Sequence, residues 1–137
     1  MERRHMKTLE LETSKGDIEE VKLEISTYKE NGSIYIGLTS VGGEFAKPYG
    51  DVTVNLGGST IDYCGYLDTG NIPGLEKFIN DNGIGEYTGF TRKSGYKEYP
   101  YYIFNTKKLQ ELCLEGVVRY EQSLKMDEEV EVKQNFR

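Results

Sequence analysis

Histidine and cysteine are nearly missing from this chain, and with them most of the side chains that carry chemistry. The single histidine is His5. A serine or cysteine nucleophile would therefore lack its usual imidazole base, and no histidine-based metal triad can form. Cys64 and Cys113 are the only cysteines. They are too few for a tetrahedral thiolate site or a disulfide framework, so both are expected as reduced core residues. No stretch approaches the roughly 20 apolar residues of a membrane-spanning helix, and the N-terminus lacks the apolar core of a secretory signal. These absences predict a cytoplasmic, non-catalytic protein with no cofactor, no metal and no membrane attachment. Positive charge is also short: 17 basic against 23 acidic side chains give a formal charge of -6. That balance favours solubility and disfavours nonspecific attraction to nucleic acid or an anionic surface.

A chain of 137 residues predicts one domain with a sizeable core. Residues 1–6 are charged and unpatterned and read as a leader or cloning remnant, with Met6 as a candidate start. Residues 7–125 carry the domain, and residues 126–137 form an acidic, flexible tail in which Val130 and Val132 offer an alternative edge strand. From Lys7 to Leu56 apolar residues recur with a period near two: Leu9 and Leu11, then Val21, Leu23 and Ile25, then Ile34, Ile36 and Leu38, then Val52, Val54 and Leu56. This predicts a meander of half-buried antiparallel strands, with Lys22, Glu24, Ser26, Ser33, Tyr35 and Thr53 facing water or a covering element. Lys47-Pro48-Tyr49 and Gly57-Gly58-Ser59 read as turns.

A short strand is expected at Asp62 to Asp68. A helix then begins at Asn71-Ile72-Pro73, with the asparagine as cap and the proline early in the helix, and ends at Asn82-Gly83. Tyr87 to Arg92 and Lys97 to Phe104 read as a hairpin turned at Lys93-Ser94-Gly95. A second helix is capped by Asn105 or Thr106 and carries the stripe Leu109, Leu112, Cys113, Val117, Tyr120 and Leu124, with Gly116 as a weak point. The predicted fold is α+β: an antiparallel sheet of five to seven strands with two helices packed on one face.

Catalytic readings are thin. Asp62 and Asp68 would share a strand face and offer an acid-base pair or an oxygen-ligand site, against the simpler reading of exposed acids at strand ends. Gly83-Ile84-Gly85 follows a helix, where a dinucleotide fingerprint follows a strand, and reads as a helix-ending turn. The informative cluster is Phe90, Arg92, Lys93, Tyr96, Lys97, Tyr99, Tyr101 and Tyr102, where aromatic faces interleave with cations. Such a surface suits another protein or a single-stranded nucleic acid, the latter opposed by the overall acidity. In the competing reading Phe90, Tyr99, Tyr101 and Phe104 face the core while the cations keep the turn soluble. The candidate binding residues are Phe90, Arg92, Lys93, Tyr96 and Lys97, joined by Asp68 and Asn71 from the neighbouring loop.

The blocks Thr53-Val54-Asn55-Leu56, Leu67-Asp68-Thr69-Gly70-Asn71, Phe78-Ile79-Asn80-Asp81-Asn82-Gly83-Ile84-Gly85, Thr88-Gly89 and Ser94-Gly95-Tyr96 together resemble a family of small bacterial proteins of unknown function. That family is met in Firmicutes and their plasmids, phages and conjugative elements. The resemblance covers roughly Val21 to Leu114, and Asn71-Ile72-Pro73-Gly74 departs from it in lacking an aromatic after the proline. It implies a genomic setting rather than a mechanism. The resulting expectation is an accessory protein of a mobile element that binds and modulates a host or element-encoded protein, counter-defence being one such task. The alternative is a small-ligand or nucleic-acid binding module using the 87–102 hairpin. Exposed strand edges would also allow a homodimer.

Overall fold

The structure is a computed structural model that describes the backbone of residues 7–135 and side chains as far as 126; residues 1–6, His5 among them, lie outside the described residues. Eight strands form two four-stranded antiparallel sheets. The first holds β1 (Leu9–Glu12), β2 (Ile18–Thr27), β3 (Ile34–Ser40) and β4 (Lys47–Asp51) in sequence order. The second holds β5 (Thr53–Val54), β6 (Cys64–Leu67), β7 (Gly85–Ser94) and β8 (Lys97–Phe104) in the order β5-β6-β8-β7. Three helices complete the domain: α1 (Leu75–Asp81), α2 (Thr106–Leu112) and α3 (Leu114–Asn135). The α+β antiparallel class is as the periodicity predicted. The strands exceed the expected number and divide between two sheets because the chain changes sheets at Val52.

Val52 is fully buried. Its amide donates to the Ile36 carbonyl on β3, while its carbonyl accepts from the Asp68 amide just past β6. The expected strand through Val52, Val54 and Leu56 is therefore split, and Lys47-Pro48-Tyr49 opens β4 rather than forming a turn. Pro48 is tolerated because β4 is an edge strand with no neighbour for the missing donor. Thr53 and Ser33 are buried, against the expectation that they face outward. The Thr53 hydroxyl accepts from the Ile36 amide at 3.1 Å, and the Ser33 hydroxyl donates to Asn31 at 2.9 Å, so neither enters the core unpaired.

The core lies between the sheets and under the helices. Val21, Leu23 and Ile25 of β2 and Ile34, Ile36 and Leu38 of β3 meet Tyr102 and Phe104 of β8, with Leu75, Phe78 and Ile79 of α1 and Val117 and Tyr120 of α3. α1 contacts β7 of the second sheet and α3 lies on β2 of the first, so the helices do not share one sheet face. α1 starts at Leu75 after Gly74, and no side chain caps it. Asn71 instead donates to the Asp51 carbonyl at 3.3 Å. Asn105 does cap α2, accepting from the Lys108 amide at 3.0 Å. The break expected at Gly116 falls at Cys113, which leaves the helical conformation, at φ -158 and ψ 70, between α2 and α3. Val130 and Val132 lie within α3 rather than in an edge strand.

Candidate interaction surface

The β7–β8 hairpin reverses at Gly95-Tyr96, since Ser94 pairs with Lys97. Gly95 sits at φ 67, a conformation that a two-residue hairpin loop needs and that side chains disfavour. Below the turn the register pairs Lys93 with Glu98, Arg92 with Tyr99 and Thr91 with Pro100, then shifts before resuming at Tyr87 with Tyr102. Residues 88–90 form a bulge around Gly89, where φ is 94. The Thr88 hydroxyl closes it by donating to the Tyr101 carbonyl and accepting from the Phe90 amide.

Alternation along β8 then fixes which side chains share a face. Pro100, Tyr102 and Phe104 are buried toward the core, whereas Tyr99 and Tyr101 are half-buried and Ile103 is exposed on the other side. Tyr66 of β6 pairs with Tyr101 and joins that outer face. The two rings lie 4.6 Å apart between centroids. Arg92 stands with its guanidinium carbon 6.0 Å from the centre of the Tyr66 ring. Its Nη1 donates to the Gly57 carbonyl at 2.9 Å, and the Tyr101 hydroxyl accepts from the Ile61 amide at 3.0 Å. Asn31 from the β2–β3 turn donates to the Gly58 carbonyl at 2.6 Å. The 55–62 loop is thus strapped over the outer face by both sheets. Sequence reading took Gly57-Gly58-Ser59 in this loop as a turn and gave Tyr66 no part in the surface; only the pairing of Tyr66 with Tyr101 brings it there.

The seven candidate binding residues fall into separate groups. Arg92 belongs to the outer face with Tyr66 and Tyr99. Lys93 pairs across the strands with Glu98, on the other face. Phe90 projects from the bulge with 71 % of its surface exposed and Tyr96 caps the turn, fully exposed. Phe90 is therefore not a core residue, in contrast to Phe104. Lys97 lies across Gly70, where a Cβ would stand 2.6 Å from its ammonium, and so joins the hairpin to the 68–71 loop. The Asp68 amide is committed to Val52 and the Asn71 amide and side chain to Asp68 and Asp51. Asn71 thus serves the junction between the sheets.

Asp62 and Asp68 do not share a strand face, because β6 spans only Cys64–Leu67 and Tyr63 between them turns to φ 65. This left-handed conformation is costly for a bulky residue. It is held by α3: the Tyr120 hydroxyl accepts from the Tyr63 amide, the Tyr63 hydroxyl donates to Glu121, and the two rings meet edge-on at 5.1 Å. Among the described residues no group of three His, Cys, Asp or Glu side chains is placed to hold a metal ion. Both cysteines are free thiols, Cys64 buried and Cys113 half-buried. Burial pushes the Cys64 thiol up, so its thiolate is disfavoured. No described helix is long and apolar enough to cross a membrane.

These features define a small α+β protein whose β7–β8 hairpin carries two open aromatic residues, Phe90 and Tyr96, together with Arg92, Lys93 and Lys97. A family model for a domain of unknown function (DUF4313) matches residues 22–124, and the chain belongs to that family, as the resemblance over Val21 to Leu114 implied. No curated protein and no solved structure matches the chain.

Proposed function

We propose that this protein is a non-catalytic accessory protein of a mobile genetic element that acts in the cytoplasm by binding and modulating a host or element-encoded protein through the β7–β8 hairpin. The observation that carries the reading is the exposure of large apolar groups along that hairpin: Phe90 and Tyr96, and toward its base Tyr87 and Ile103. Ordering such side chains in water brings no gain, whereas a protein partner that covers them does, and aromatic residues beside arginine are the usual anchors of an interface. The mobile-element setting, with counter-defence as one task within it, rests on the family resemblance.

The test is capture of partners by the tagged protein from its bacterial host, alongside Phe90→Ala and Tyr96→Ala variants. One dominant protein should be retained, and each substitution should weaken its binding about tenfold or more, while stability shifts by less than about 0.5 kcal/mol. Retention of nucleic acid in place of a protein would transfer the hairpin to the alternative reading, in which stacking on Tyr66 and Tyr99 and the Arg92 charge hold a single strand. A folded protein that retains neither would remove the assignment.

A further inference from the structure

No residue of the 55–62 loop is buried and none joins a strand ladder, since β5 ends at Val54 and β6 begins at Cys64. The loop is held by side chains instead. Asn31 donates to the Gly58 carbonyl and, at 2.9 Å, to the Asn55 Oδ1; Arg92 donates to the Gly57 carbonyl, and the Ile61 amide donates to the Tyr101 hydroxyl. Gly57 and Gly58 stand at φ 87 and 78, two adjacent residues whose backbone turns more freely than that of any residue with a side chain. Asn31 is the anchor from the first sheet. The two hydrogens on its Nδ2 both point at the loop, while its Oδ1 accepts from the amide and the hydroxyl of Ser33.

We propose that this loop is a lid on the outer face: it opens about Gly57-Gly58 while both sheets stay folded, and in opening it uncovers the Tyr66 and Tyr101 rings and releases Arg92. A segment without buried contacts or ladder bonds opens at a lower free energy than the strands beneath it. Hinges of this kind need only a few residues that absorb the change in backbone angles. The bond from Arg92 to Gly57 is then an autoinhibitory contact, because it holds against the loop a guanidinium that a partner of the β7–β8 hairpin would otherwise meet. That consequence rests on the reading of the hairpin as an interface, whereas the opening itself does not.

Two substitutions cut the lid free from opposite sides. Asn31→Asp keeps the acceptor that Ser33 uses and turns the donor into an acceptor facing the Gly58 carbonyl and the Asn55 Oδ1. Turning over the Asn55 amide would satisfy one of these and cost the Gly57 amide its own acceptor. Arg92→Met removes the tether from the second sheet. In native-state hydrogen exchange on the full chain, the Ile61 amide should open with a denaturant dependence far below that of Val52, Asp68 and Phe104. Each variant should speed it about tenfold, the equivalent of one lost bond, although neither side chain bonds Ile61. Tetranitromethane should nitrate the fully exposed Tyr96 alike in all three proteins, and Tyr66 and Tyr101 several-fold faster in the variants. Circular dichroism establishes that the variants fold, and the denaturant dependence in the unaltered protein decides the matter if they do not. An Ile61 amide that follows the isotherm of Val52 overturns the inference, and so do unchanged exchange and nitration in either folded variant. A lid that opens in a protein capturing no partner leaves the inference standing and removes the hairpin reading, so the two fail separately.

Discussion

Tyrosine hydroxyls do much of the polar work inside this fold. Tyr102 is 1 % exposed, yet its hydroxyl donates to Glu76 at 2.6 Å and accepts from Asn80 at 3.4 Å, tying β8 to α1. Tyr35 donates to Asp51, Tyr28 to the Thr53 carbonyl and Tyr63 to Glu121. Tyr102→Phe should lower unfolding stability by about 1 kcal/mol, the net worth of one such bond, because Glu76 can return to water; urea titration measures it. Burial and the neighbouring carboxylate push the Tyr102 phenol up to about 12, and burial foremost raises Tyr28, Tyr35, Tyr63, Tyr101 and Tyr120 as well. The folded state therefore holds protons that the unfolded chain releases near pH 10. This contribution is intact below that pH and is lost as pH rises through about 12, so alkaline unfolding should coincide with phenolate absorbance. Sequence reading placed Tyr102 on a surface. The period-two pattern of β8 was legible there, but which set of alternate tyrosines turned inward depended on pairing with β6.

At the scale of elements, the most revealing residue is Gly116. It appeared as a flaw in a helix, yet α3 runs through it unbroken because the helix needs its missing side chain. A Cβ there would stand 2.6 Å from the Ile25 carbonyl oxygen and 2.8 Å from the Ile25 Cβ. Alanine would gain about 1 kcal/mol of helix propensity, but relief of the overlap requires α3 to lift from β2. Gly116→Ala should therefore destabilise by a net amount of about 1–2 kcal/mol in denaturant titration; a stabilised variant would refute the close approach. Helix stripes, strand periodicity and the Asn105 cap were legible in the sequence because each depends on neighbours within one turn or strand. The break at Cys113, the start of α1 after Gly74 and the fold of Tyr63 were not, because each is set by what α3 or the first sheet presses against it.

For the whole molecule, the antiparallel class followed from alternation, but the division into two sheets did not. Val52 continues the apolar rhythm of Val54 and Leu56, so nothing local marks it as the crossing point. The same limit governed the candidate surface. Its aromatic and cationic composition was legible, whereas the bulge at 88–90, which sets Phe90 apart from Arg92, arises from pairing. The crossing at Val52 bears on how the protein opens. One residue bonds β3 through its amide and receives the bond that ends β6 through its carbonyl, so neither sheet can detach while the other keeps its ladder. Native-state hydrogen exchange should then give the amides of Val52 and Asp68 the same opening free energy as Phe104, whose amide bonds to the Tyr63 carbonyl, with one denaturant dependence for all three. Two distinct isotherms would mean that the sheets breathe independently, and this single junction is what should make them exchange as one cooperative unit.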